Sequence, residues 1–264
     1  MKDHKRSCLR LLSLLVLTLT LRTASAQSMY PSGSFGYLLN AAFSDPSNES
    51  GLAILGVINF DGAGNVTGSY TTEQGSSATH SSQPVTGAFT GTYSSNADGT
   101  GNLTTTADNG TTFTFAMVIT DRGQGIQFVA THCPCDMSTT TFSGVARAVY
   151  TGALNAGSYG FQAANSPTPA ASLGVLSFDG AGNVSMSSTF VGLTGASGQP
   201  NIFTGTTTGT YSSNPDGSGA ATFTMTNGNM QTYVFVSTDG GSGILFLQTN
   251  RAGNGVSFGT GRLQ

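Results

Sequence analysis

Lysine is missing from everything after residue 5, and tryptophan is missing from the whole chain. Beyond residue 26 the basic side chains are four arginines set against eleven carboxylates, a formal charge of −7. A surface so poor in cations cannot neutralise a phosphate backbone, which excludes nucleic acid as a partner. It also gives anionic membrane surfaces little to attract. After residue 26 no apolar run approaches the roughly 20 residues that a spanning helix needs, so no membrane span is expected. No stretch shows the periodicity of an amphipathic helix. Only 8% of residues are charged, against roughly 25% in an ordinary globular domain, so solubility must rest on Ser, Thr, Asn and Gly.

What is abundant is glycine, with 37 residues, together with 16 Phe and 8 Tyr. Glycine alone is compatible with disorder, but disordered chains lack aromatic and β-branched residues. Here those residues stand in short alternating runs between glycine turns, which is the pattern of an all-β protein. The first 26 residues are different. Lys2, Lys5, Arg6 and Arg10 precede an apolar run from Leu11 to Leu21, and Ala24-Ser25-Ala26 supplies a small-residue cleavage site. This reads as a secretory signal peptide cleaved after Ala26, which makes the chain a secreted or periplasmic protein.

The rest of the chain says nearly the same thing twice. Gly33-Ser34-Phe35-Gly36-Tyr37 returns as Gly157-Ser158-Tyr159-Gly160-Phe161. Phe60-Asp61-Gly62-Ala63-Gly64-Asn65-Val66 returns as Phe178-Asp179-Gly180-Ala181-Gly182-Asn183-Val184, and Gly91-Thr92-Tyr93-Ser94-Ser95-Asn96 as Gly209-Thr210-Tyr211-Ser212-Ser213-Asn214. The last two pairs share one offset, 118 residues, so nothing is gained or lost between them. Two copies of one fold follow, at 33–149 and 157–264, joined near Tyr150 to Ala156.

Period-2 alternation bounded by turn residues gives eight strands per copy. Asp-Gly and Asn-Gly turns, which need positive φ, account for much of the glycine. Eight antiparallel strands in sequence order either close or leave two exposed edges, and closure removes the edges. The expected fold is all-β, two tandem antiparallel up-and-down eight-stranded barrels, with a pair of β-sandwiches as the alternative. Gly87, Gly91, Gly205 and Gly209 are read as inward glycines that permit strong bending. Phe60, Phe115, Met117, Ile126 and Phe128, with Phe178, Tyr233, Phe235, Ile244 and Phe246, are the expected core.

These blocks resemble those of uncharacterised exported tandem-repeat all-β proteins of acidobacterial type, over essentially the whole chain after the signal, and no function comes with the resemblance. A weaker likeness is to lipocalin-type barrels, in which a glycine-aromatic first strand is packed by an arginine from the last. Gly33-Ser34-Phe35 with Arg147, and Gly157-Ser158-Tyr159 with Arg262, stand in those places, although the lipocalin pattern has tryptophan at the aromatic position. The likeness leaves both arginines either stacked on an aromatic or acting as anion ligands inside a barrel, and stacking is the adopted reading.

One cluster carries chemistry: His132-Cys133-Pro134-Cys135-Asp136, in a loop longer than its counterpart and without Cys or His in the second copy. Thiolate and imidazole at this spacing suit a soft metal such as copper or zinc, which makes His132, Cys133, Cys135 and Asp136 the metal candidates. In an exported chain the same cysteines suit a local disulfide, Cys133–Cys135 across Pro134, and this is the reading adopted, with no metal or other cofactor. Asn96, Asp98, Asn214 and Asp216 offer oxygens to calcium, but no bidentate Glu follows and hairpin chemistry explains them. His80, His132, Glu49 and Glu73 do not fall into a hydrolase pattern, so no catalytic residue is assigned. The reading is an exported, non-enzymatic binding or envelope-surface module for a small apolar molecule or a glycan. A small hydrolase or isomerase using one barrel mouth, and a structural matrix component, are the alternatives.

Overall fold

The computed structural model describes residues 30–43, 51–74, 84–133, 140–166, 170–193, 200–250 and 256–264; the expected signal segment lies outside them. The first eight strands are β1 (Ser32–Phe43), β2 (Leu52–Asp61), β3 (Asn65–Gln74), β4 (Val85–Ser95), β5 (Thr100–Ala107), β6 (Thr112–Thr120), β7 (Gly125–His132) and β8 (Thr140–Ala148). The second eight are β9 (Gly157–Ser166), β10 (Ala170–Phe178), β11 (Asn183–Leu193), β12 (Pro200–Ser213), β13 (Ser218–Thr224), β14 (Met230–Thr238), β15 (Gly243–Gln248) and β16 (Val256–Leu263). Each set forms one closed antiparallel barrel in sequence order. Closure is made by β1 on β8, with Tyr37 opposite Ala146, and by β9 on β16, with Phe161 opposite Gly261. The barrel expectation holds, and the sandwich alternative falls.

The repeated motifs act locally. In the Asp61 turn, Gly62 and Gly64 have φ of 74° and 103°. The Asp61 carboxylate accepts from the backbone N–H groups of Ala63 at 2.7 Å and Asn65 at 2.9 Å, and from Asn65 Nδ2 at 2.6 Å. Asp179 repeats the same three bonds at the same lengths. Gly91 and Gly209 are packed close against a neighbouring backbone. A Cβ on either would lie 2.0 Å from the carbonyl oxygen of the adjacent strand, Thr104 or Thr222. Gly205 is different, with open space around its missing side chain.

Nine of the ten expected core residues are buried, and Tyr233 is half-buried. One end of each barrel is filled by aromatic rings. Phe60 packs edge-on against Tyr93 with ring centres 4.9 Å apart, and Phe178 against Tyr211 at the same distance. Edge-to-face contact of this kind adds about 0.5–1.5 kcal/mol to the burial itself.

A third apolar cluster lies between the barrels. Leu38, Ala53 and Leu55 on the outer face of β1 and β2 meet Val236, Leu245, Leu247 and Val256 on the outer face of β14, β15 and β16. All six residues of β15 are therefore buried, one face lining its barrel and the other covered by the first barrel. Its counterpart β7 alternates, with Gln127 exposed and Val129 51% exposed, because nothing described covers it. The linker is tied down as well. Val149 bridges to Thr238, and the Tyr150 N–H donates to the Ser237 carbonyl at 3.0 Å.

Candidate functional site

The two barrels pack outer wall against outer wall and keep separate interiors. The first encloses a cavity of about 360 Å³, and the second one of about 660 Å³. Matched positions explain the difference. Where the first barrel points Ile54, Tyr70 and Leu103 inward, the second has Ser172, Ser188 and Ala221. The register confirms the match: Tyr70 stands between Gly56 and Gly87, and Ser188 between Gly174 and Gly205. Tyr70 leans over Gly87, whereas the short Ser188 leaves Gly205 uncovered. One swap runs the other way and conserves volume. Gly68 beneath the Phe89 ring is replaced by Met186, while Phe89 itself is replaced by Thr207.

Both cavities end in aromatic and aliphatic side chains. In the larger one Leu176, Phe178, Phe223, Phe235, Ile244 and Phe246 form the deep part. Toward the open end lie Phe190 and Phe203, a tilted pair 6.5 Å apart, with Phe203 60% exposed. Interspersed are uncharged polar groups, among them Asn165, Gln231, Gln248 and Ser257. Among the described lining residues Tyr233 alone has a titratable side chain, and none of them is Asp, Glu, His, Lys, Arg or Cys.

Two tyrosines, Tyr37 and Tyr70, line the smaller cavity, and Tyr70 is tied to a carboxylate. The Tyr70 hydroxyl donates to Asp108 Oδ1 at 3.1 Å, and the Ala88 N–H donates to Asp108 Oδ2 at 3.1 Å. The Ala88 bond, seconded by Tyr70, lowers the Asp108 pKa. Burial, seconded by the hydrogen bond to Asp108, raises that of Tyr70. The Asp108 carboxylate holds the Tyr70 ring over Gly87 and engages both of its oxygens in doing so.

The residues singled out in the sequence are dispersed. Cys133 is buried in the first barrel's core and disulfide-bonded, while Cys135 and Asp136 lie outside the described residues. His132 is exposed at the end of β7, and no metal-ligating group of three occurs among the described residues. Glu49 and His80 also lie outside the described residues. Glu73 is fully buried opposite Ala53, in the region between the barrels, and lines neither cavity. Asp98 and Asp216 act as turn formers, each accepting from the N–H two residues on at 2.9 Å. Asn96 and Asn214 turn their amide nitrogens, not their oxygens, toward the loop. The arginines depart from the stacking expected of them. Arg147 pairs with Asp121, and Arg262 with Asp239 at 3.1 Å, both on the outer wall. Each arginine lies between two glycines of the neighbouring strands, Gly36 and Gly125 or Gly160 and Gly243, which leaves the guanidinium room to reach a turn aspartate held at positive φ.

No family model and no curated protein matches this sequence. Among solved structures the chain is similar to a de novo designed fluorescence-activating β-barrel, with a TM-score of 0.31 and 10% identity over 46% of this chain and 95% of that one. It is also similar to kievitone hydratase from Nectria haematococca (TM-score 0.31, 8% identity, 91% and 92% covered). CghA with Sch210972 follows (TM-score 0.26, 10% identity, 89% of each chain covered). At such scores these likenesses carry no argument about ligand or activity.

Proposed function

We propose that this chain is an exported, non-enzymatic binding module whose second barrel holds a small apolar molecule. The observation that carries the reading is the 660 Å³ cavity, with its aromatic depth, its open aromatic lip and uncharged side chains throughout the described lining. Its volume falls within the roughly 300–1,000 Å³ of ordinary small-molecule sites. A purely structural barrel has no need of Ser172, Ser188 and Ala221 where its sister carries Ile54, Tyr70 and Leu103, because filling the space would add packing energy. The predominance of apolar lining favours a hydrocarbon-rich ligand over a glycan. Export rests on the N-terminal 26 residues read as a signal peptide.

The test is a fluorescence titration with the uncharged dye N-phenyl-1-naphthylamine. The native protein should bind it with one site. The double variant Ser188→Tyr with Ala221→Leu, which installs the first barrel's residues, should stay folded and bind about tenfold or more weakly for lack of room. Undiminished binding in that variant would place the dye elsewhere and overturn the reading.

A further inference from the structure

The inward face of the second barrel carries a row of polar groups that its sister lacks. Asn165 on β9 stands opposite Ser257 on β16, and Gln248 on β15 stands opposite Tyr233 on β14. Leu247 pairs with Phe258, so Gln248 and Ser257 are the next neighbours along β15 and β16. The four residues thus run across four adjacent strands at one level of the wall, and all four line the 660 Å³ cavity. The corresponding positions of the first barrel follow from the same register. Ala41 faces Phe142, and Ala130 faces Phe115. All four of those residues are buried members of an apolar core. The fold therefore does not require polarity at this level.

Burying uncompensated polar groups works against stability. Gln248 is 5% exposed and Ser257 8%. Neither they nor Asn165 use their side chains in a hydrogen bond to a described residue. Tyr233 donates its hydroxyl to Gln231 Oε1 at 3.2 Å, on the same strand. Carboxamides offer both donors and acceptors, so the row answers a carbonyl, a hydroxyl or an amide alike. An ionised group entering here would lose its hydration and meet no opposite charge among the described lining residues.

Resting on the binding reading above, we infer that the second barrel recognises an apolar molecule bearing an uncharged hydrogen-bonding group. The Asn165–Ser257–Gln248 row takes that group, and the aromatic depth takes the hydrocarbon body. Gln248 is the central specificity residue, since it is the most deeply buried of the three carboxamide and hydroxyl groups.

The test compares three ligands of similar shape as competitors of N-phenyl-1-naphthylamine at pH 7: 2-acetylnaphthalene, 2-ethylnaphthalene and 2-naphthoate. The neutral ketone should bind about three- to tenfold tighter than the hydrocarbon, as one or two neutral hydrogen bonds allow. The carboxylate should bind weakest. Gln248→Ala, which installs the residue of the first barrel, should bring the ratio of ketone to hydrocarbon affinity to about one, with the melting temperature unchanged or raised. A purely structural Gln248 would instead lower the melting temperature and leave the preference intact, which overturns the inference. So does equal binding of ketone, hydrocarbon and carboxylate while the dye still occupies the cavity, or a failure of all three to compete. Absence of dye binding altogether would remove the binding reading and this inference with it.

Discussion

The Tyr159 hydroxyl donates to the Gly241 carbonyl at 2.6 Å, linking the first strand of the second barrel to its β14–β15 turn. It also reaches the Asn155 carbonyl at 3.0 Å, so one phenol ties the linker, the barrel end and the turn together. The ring is fully buried and sits edge-on to Phe178 at 5.4 Å. Tyr159→Phe should cost about 1–3 kcal/mol, the penalty for leaving a buried carbonyl without its donor. Urea unfolding at neutral pH measures this.

The same residue sets an alkaline limit. Burial, helped by the nearby Tyr211, pushes the Tyr159 pKa up from 10.0 to about 12. The folded protein thus favours the neutral phenol, so the stability it lends is complete below pH 10 and is lost as pH rises from 10 to 12. Stability at pH 8 and pH 11.5 should differ by less in Tyr159→Phe than in the native protein. An unaltered difference would assign the alkaline loss to other tyrosines.

On the acid side the turn carboxylates set the direction. Asn65 and Asn183, through side chain and then backbone, lower the pKa of Asp61 and Asp179 below 3.8. Thr100 and Ser218 do the same for Asp98 and Asp216. Depressed folded values mean stability that is present above about pH 4 and lost as pH falls through the folded pKa values. The melting temperature should therefore fall on acidification below pH 4. Asp61→Asn with Asp179→Asn should flatten that limb without moving the alkaline one.

The seam between barrels gives a third expectation. Leu247 is fully buried against the first barrel, whereas the residue in its place on β7, Val129, is 51% exposed. Leu247→Ala should cost about 2–5 kcal/mol, and Val129→Ala should stay within about 0.5 kcal/mol. Calorimetry of the native protein should show the barrels melting together, and Leu247→Ala should begin to separate the two transitions.

Glycine placement supplies a fourth. At Gly209 an added methyl would strike the Thr222 carbonyl at 2.0 Å, while at Gly205 nothing lies within 4 Å. Gly209→Ala should lose about 1–3 kcal/mol. Gly205→Ala should be neutral or gain about 0.4–1 kcal/mol through a less flexible unfolded chain. Denaturant midpoints of the two variants decide this, and similar losses in both would contradict the open space at Gly205.

The resemblance between repeats made the scaffold legible, and the differences between them held the site. Gly205 and Gly209 look alike in the sequence, yet only Gly209 is packed against a neighbouring backbone. Arg147 and Arg262 were legible as strand-end residues but not as partners of Asp121 and Asp239, because the turn that presents each aspartate comes from a different hairpin. Comparing β7 with β15 position by position carries a usable signal. Gln127 and Val129 become Leu245 and Leu247, and Ala130 becomes Gln248. A strand that gains an outer apolar face marks the seam, and one that gains an inward carboxamide marks the polar row of the larger cavity.

The sequence by itself determined the number of strands, their turns and which residues alternate inward. Asx bonds, positive-φ glycines and period-2 alternation are local, and each is written within a few residues. Only the tertiary structure decided which barrel holds the larger cavity, which outer faces meet, and that Asn165 lies beside Ser257 some ninety residues away. Those outcomes depend on closure of the last strand onto the first and on the summed volume of side chains from all eight strands. Such sums are properties of the assembled wall, and no single strand contains them.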